Sequence, residues 1–258
     1  MTTASPAGVL RRWWPECALL AGFVALTAAL ASGAFLDLDY AVRDWWAAHL
    51  TRPVELAALG LNRLGQGGAL TGLAAALAVL AAWRLGTVRP LLLVVFGFVL
   101  TTGVVLPLKH WTDRAAPRSA LPDAAELFNA LPPGEYGESY PSGHVVVAIV
   151  WYGIILLLIS TVLRSFGRRP VPPGVGQLVR AVPPVVVFGT TTVLGYHWLT
   201  DGVAAVLLGL LLDRAVSRTP WCRTGLLARP CRPAEPVAAT ERIERSDGRE
   251  GTAEEMPP

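Results

Sequence analysis

The chain has 258 residues, of which 53% are hydrophobic and 16% charged, against roughly a quarter charged in an ordinary soluble domain. Mean hydropathy is +0.46, and the apolar residues come in long blocks, which excludes a disordered chain and a typical soluble enzyme. With 22 basic and 19 acidic residues the net charge is only +3, and the basic residues are scattered, so no nucleic-acid partner is expected.

Four stretches are long enough, at 1.5 Å per residue, to cross a bilayer: Cys17 to Leu36, Leu64 to Trp83, Pro90 to Leu108 and Val145 to Leu163. Two weaker ones follow. Ala181 to Tyr196 carries the pair Pro183-Pro184, and Gly202 to Leu212 spans only if its helix runs from about Leu199 to Ser217, with Asp213 and Arg214 at the interface. The expected fold is therefore an all-α integral membrane protein, a six-helix bundle over residues 1–218 with loops on the outer face. The first block exceeds a usual signal-peptide core and has no clean cleavage site, so it is read as a span. Residues 219–258, rich in Pro, Arg and Glu, are expected to form a disordered cytoplasmic tail. The three cysteines, Cys17, Cys222 and Cys231, lack disulfide or zinc-ligand spacing.

Arginine placement sets the orientation. Ten arginines (Arg11, Arg12, Arg84, Arg89, Arg164, Arg168, Arg169, Arg180, Arg214, Arg218) flank one side, and six cations diluted by nine carboxylates flank the other. The positive-inside rule places the first set and both termini in the cytoplasm of a cell-membrane protein. The outer side then receives the Asp37 to Arg63 loop, where Trp45-Trp46 reads as an interfacial helix with aromatic anchors, and the polar segment Lys109 to Tyr140.

Three polar clusters share that outer side. Lys109, the chain's single lysine, and Arg114 lie where the third span ends. Taken alone they read equally as snorkelling interfacial cations. Pro141-Ser142-Gly143-His144 leads into the fourth span, where free helix N–H groups and the dipole favour a phosphate. An ordinary N-cap by Ser142 is the competing reading. His197 and Asp201 are four apart and share a helix face, so the carboxylate could fix the imidazole tautomer and free Nε2 as a nucleophile. A helix-start carboxylate placed for the dipole is the alternative there.

These residues resemble the type-2 phosphatidate phosphatase, or lipid phosphate phosphatase, superfamily, whose motifs are Lys-x6-Arg-Pro, Pro-Ser-Gly-His and Ser-Arg-x5-His-x3-Asp. The second is matched in full by residues 141–144, and the His-x3-Asp half of the third by His197 and Asp201. The first is matched at Lys109 and Pro117, but its arginine is Ala116; Thr190-Thr191 replaces Ser-Arg in the third. The resemblance implies a membrane lipid phosphate, or polyprenyl phosphate or diphosphate, phosphatase acting on the extracytoplasmic face. It implies His197 as the nucleophile that becomes a phosphohistidine, Asp201 as its orienting group and His144 as the acid. Lys109, Arg114, Ser142 and Gly143 are expected to hold the phosphoryl oxygens. Arg114 is expected to take the missing first-motif role, with the Thr191 gap filled by water, by its own hydroxyl or by Arg118. No metal or cofactor is expected, and the partners are the lipid substrate and membrane lipids. The alternative is a weak or inactive relative that binds anionic lipid headgroups.

Overall fold

The structure is a computed structural model that describes residues 6–128 and 137–219. The proposed tail, from Pro220 onward, lies outside the described residues. Among the described residues eight α-helices follow in order: α1 (Pro6–Ala31), α2 (Leu36–His49), α3 (Arg52–Asn62), α4 (Gly67–Leu85), α5 (Arg89–Thr112), α6 (Gly143–Ser165), α7 (Pro173–Val193) and α8 (Leu199–Ser217). A single 3-10 turn, Arg63–Gly65, joins α3 to α4.

Four of these helices, α1, α4, α5 and α6, are long and apolar enough to cross a membrane. α7, with Gln177, Arg180 and two internal prolines, and α8, with Asp201, Asp213 and Arg214, are long but less apolar. α6 is the hub. Of its apolar stretch 61% is buried, against 28% or less for the other three, because α4, α5, α7 and α8 all pack on it. α1 closes the bundle against α8, and α3 lies on α7. Leu20, Val24, Leu73, Val79, Val95 and Phe98 remain exposed, an apolar exterior suited to lipid rather than water.

Two boundaries differ from the sequence expectation. The first span ends at Ala31, not Leu36. Gly33, at φ +86°, sits where a helix of L-residues must stop, and Gly33 N–H and Ala34 N–H bond back to Leu30 O and Ala29 O. The outer loop expected to hold one interfacial helix holds two, α2 and α3, with Trp45 and Trp46 edge-to-face on α2.

Candidate active site

The residues that follow α5 and those that lead into α6 are pinned to each other. Ser139 N–H bonds Arg114 O at 3.0 Å, and Gly137 N–H bonds Asp113 Oδ1 at 2.8 Å. A Cβ on Gly137 would lie 2.2 Å from the Asp113 carbonyl carbon, so only glycine allows this approach. Tyr140 is fully buried, its hydroxyl 2.6 Å from Thr27 Oγ1 on α1, and burial pushes its pKa up to about 12. This frame delivers the start of α6 against the start of α8, where Ser142 N–H bonds Asp201 O at 3.2 Å.

There a cavity of about 600 Å³ opens between α4, α5, α6 and the α7–α8 turn. Lys109, Gly143, His144 and His197 all line it. The two imidazole rings face each other edge-on with centroids 5.9 Å apart. Thr102, Val105 and Leu106 of α5, Gly67 and Val147 line its apolar part. From Thr101 to Lys109 that wall is about 12 Å long at 1.5 Å per residue.

Ser142 stands just behind the lining. It occupies the N-cap position of α6, yet its side chain makes no cap bond, and its buried Oγ has no partner among the described residues. The ordinary N-cap reading is therefore not what the helix uses. A buried hydroxyl and the first amides of a 23-residue helix point to an anion instead.

His197 is 6% exposed and its Nδ1 lies 2.8 Å from Ser139 O. A carbonyl only accepts, so Nδ1 carries the proton and Nε2 is left with its lone pair. The sequence reading gave this task to the Asp201 carboxylate. Asp201 Oδ2 stands 3.7 Å from Nδ1, in ion-pair range but beyond a hydrogen bond. Asp201 is instead the hub behind the histidine. It accepts Ser139 Oγ–H at 2.5 Å, Trp198 N–H at 2.9 Å and an Arg114 Nη1–H at 2.5 Å. The Trp198 contact is a helix-start cap, so that alternative role is filled by the same carboxylate.

Arg114 does not line the cavity. It is fully buried, and four of its five N–H groups are engaged: Nε with Ala125 O at 2.7 Å, Nη1 with Thr200 Oγ1 and Asp201, and Nη2 with Asp39 Oδ2 at 2.7 Å. Burial opposes its charge, but Asp201 and Asp39 beside it outweigh that and push its pKa further above the usual arginine value. The expectation that Arg114 reaches the phosphate is thus corrected by its bonding. A guanidinium clamped between two buried carboxylates positions them and has little left for a ligand.

The second missing arginine leaves no open donor either. Thr191 is buried, and its hydroxyl donates to Val187 O and Phe188 O of its own helix. Arg118, by contrast, lines the cavity, its guanidinium 4.7 Å from the Tyr196 ring centroid. Lys109 Nζ donates to the main-chain carbonyl of Glu138, a second lining residue. Sequence reasoning did not single out three members of the network: Asp39, Ser139 and Thr200. Ser139 adjoins a motif and so carried a weak positional signal. Asp39 is one of nine carboxylates in the outer segments with nothing in a single sequence to mark it.

The geometry is therefore two histidines across a cavity, a protonated Nδ1, an uncapped helix start and a buried ionic hub behind. The family comparison agrees with it. The model of the PAP2 superfamily matches residues 90–224, more than half of the chain, and the chain belongs to that superfamily. The fold is similar to the crystal structure of the first transmembrane PAP2 type phosphatidylglycerolphosphate phosphatase from Bacillus subtilis. The TM-score is 0.63 with 23% identity, covering 79% of this chain and 94% of that one. Comparison with curated proteins found no match. Family and apolar helices together make this a multi-pass membrane protein.

Proposed function

We propose that the chain is a lipid phosphate, or polyprenyl phosphate or diphosphate, phosphatase that works through a phosphohistidine at the extracytoplasmic end of a six-span bundle. The observation that carries this reading is His144 and His197 facing each other across one cavity that also holds Lys109, the start of α6 and an apolar wall. His197 Nε2 attacks phosphorus, forming an N–P bond as the P–O bond to the lipid breaks. His144 gives a proton to the leaving oxygen, that of the lipid alkoxide from a monophosphate or of the lipid monophosphate from a diphosphate. Water then attacks phosphorus, His144 takes its proton, and the N–P bond breaks to release phosphate. Lys109, the Gly143 amide and the Ser142 hydroxyl hold the phosphoryl oxygens while charge redistributes. Asp201, 3.7 Å from Nδ1, stabilises the positive charge that His197 acquires. The apolar wall is long enough to take part of a lipid chain, which supports a lipid substrate over a small soluble phosphate ester.

The test is phosphate release from phosphatidate, phosphatidylglycerol phosphate and polyprenyl mono- and diphosphates by the purified protein in detergent, with His197→Ala as control. Release that persists in EDTA and vanishes in His197→Ala is the expected result. Binding of these lipids without release from any of them would favour the headgroup-binding relative.

A further inference from the structure

We propose that Arg118 is the arginine that captures the substrate phosphate in this chain, in place of the two motif arginines whose positions hold Ala116 and Thr191. The proposal rests on the phosphatase reading above and names a residue outside every motif that reading uses.

The cavity needs a cation beyond Lys109, which already donates to Glu138 O and shares the cavity with the Glu138 carboxylate. Arg114 is consumed by Asp39 and Asp201. Ala116 lines the cavity with a methyl group, and the Thr191 hydroxyl is turned back onto α7. Arg118 is the arginine among the cavity's described lining residues.

Its placement is built rather than incidental. The stem crosses Gly195, where an ideal Cβ would lie 3.3 Å from Arg118 Cγ, and Gly195 has φ +64°. The guanidinium then lies over the Tyr196 ring. Gly195, Tyr196 and His197 are consecutive and all line the cavity. So the turn that carries the nucleophile also carries the seat for the arginine. A cation–π contact uses the charge over the ring and consumes no hydrogen-bond acceptor, and the N–H groups of a guanidinium are the part that forks onto phosphate oxygens. Among the described residues no carboxylate forms an ion pair with Arg118, unlike Arg43, Arg52, Arg114, Arg180, Arg214 and Arg218.

The experiment measures two quantities on wild type, Arg118→Ala, Arg118→Lys and the double variant Arg118→Ala/Ala116→Arg. One is kcat/KM for the best lipid phosphate; the other is affinity for orthovanadate by titration calorimetry. Arg118→Ala should lower kcat/KM by about 10²- to 10³-fold, the scale for one preorganised donor. It should weaken vanadate by about 10- to 100-fold, the scale of one charge-assisted hydrogen bond. Because Arg118 is exposed, its melting temperature should be unchanged. Arg118→Lys should recover only part of the loss, since an ammonium neither forks nor stacks as well. Ala116→Arg should rescue Arg118→Ala by about tenfold or more, because it returns a fork to the same cavity. Unchanged kcat/KM in Arg118→Ala would overturn the proposal. A wild type that releases phosphate from none of the lipids sinks the phosphatase reading, and vanadate then decides Arg118 separately. Equal binding by wild type and Arg118→Ala, or binding by neither, overturns it.

Discussion

At His197 the tautomer is held by a main-chain oxygen, Ser139 O, which side-chain substitution leaves in place. Asp201→Asn should therefore keep the nucleophile's tautomer while it loses the charge behind it, the ion pair to Arg114 and at least one of the hydrogen bonds that the carboxylate accepts, since an amide nitrogen cannot accept. At about 4 Å in a surface-like dielectric that charge is worth about 4 kcal/mol, so kcat should fall about a thousandfold with KM little changed. Steady-state kinetics check this, and a matched rise in KM would show that Asp201 acts on binding instead. Arg114 and Arg118 are separated by the same logic. Arg114→Ala strands two buried carboxylates, Asp39 and Asp201, and should destabilise the protein by about 3–5 kcal/mol, seen as a large drop in melting temperature in detergent. Arg118→Ala should not. Both arginines come from one short cationic segment, and nothing in their spacing says which faces the ligand. That is decided by Asp39, 75 residues before Arg114, whose approach no local pattern encodes. The residues legible in the sequence were those with their own local signal: the Pro-Ser-Gly-His run and the i, i+4 pair.

Among the elements, α6 and α8 matter most, because one carries His144 in its first turn and the other begins just after His197. Their contact is close because Gly209 offers no side chain. A Cβ there would lie 2.8 Å from Ile149 Cδ1 and 3.4 Å from Val146 Cα on α6. The Val146 Cα is backbone and cannot rotate away, so Gly209→Leu must push the helices apart. We expect phosphate release to fall by at least about tenfold, since a misplacement near 1 Å can cost a hundredfold. Gly72→Leu, on α4 with nothing within 4 Å of its Cβ position, is the matched control and should keep full activity. The long apolar blocks made α4, α5 and α6 readable in advance, apart from boundaries. The α1 stop was missed because uncharged residues continue past Gly33, and hydropathy does not register a positive φ. The second outer helix, α3, has no aromatic anchor pair to mark it, and its proline falls near the helix start, where proline is favoured.

Seen whole, the molecule has two polar ends of different construction. At one end, side chains tie helices together: Arg84 to Ser165 O, Arg180 to Asp213 at 2.6 Å, and Arg214 and Arg218 to Glu16 at 2.8 and 2.6 Å. At the other, the polar groups converge on the cavity, where α6 and α8 begin. The two ends therefore lie at opposite termini of the same helices, and in the proposed six-span bundle the histidines face the side of the membrane opposite the arginine ties. The proposed topology, drawn from the positive-inside rule, has the arginine-rich end in the cytoplasm. This orientation is tested in a background with Cys17, Cys222 and Cys231 changed to serine. Ala120→Cys, exposed two residues after the cavity-lining Arg118, and Val88→Cys, exposed in the turn between α4 and α5, are introduced one at a time. In intact cells a membrane-impermeant maleimide should label Ala120→Cys and leave Val88→Cys untouched until the cells are lysed. The reverse pattern would place the histidines on the cytoplasmic side and overturn the extracytoplasmic assignment, while the cavity chemistry would stand. Labelling of both sites without lysis would mean that the two turns share a face. α5 would then fail to span, and the six-span bundle would fall with it.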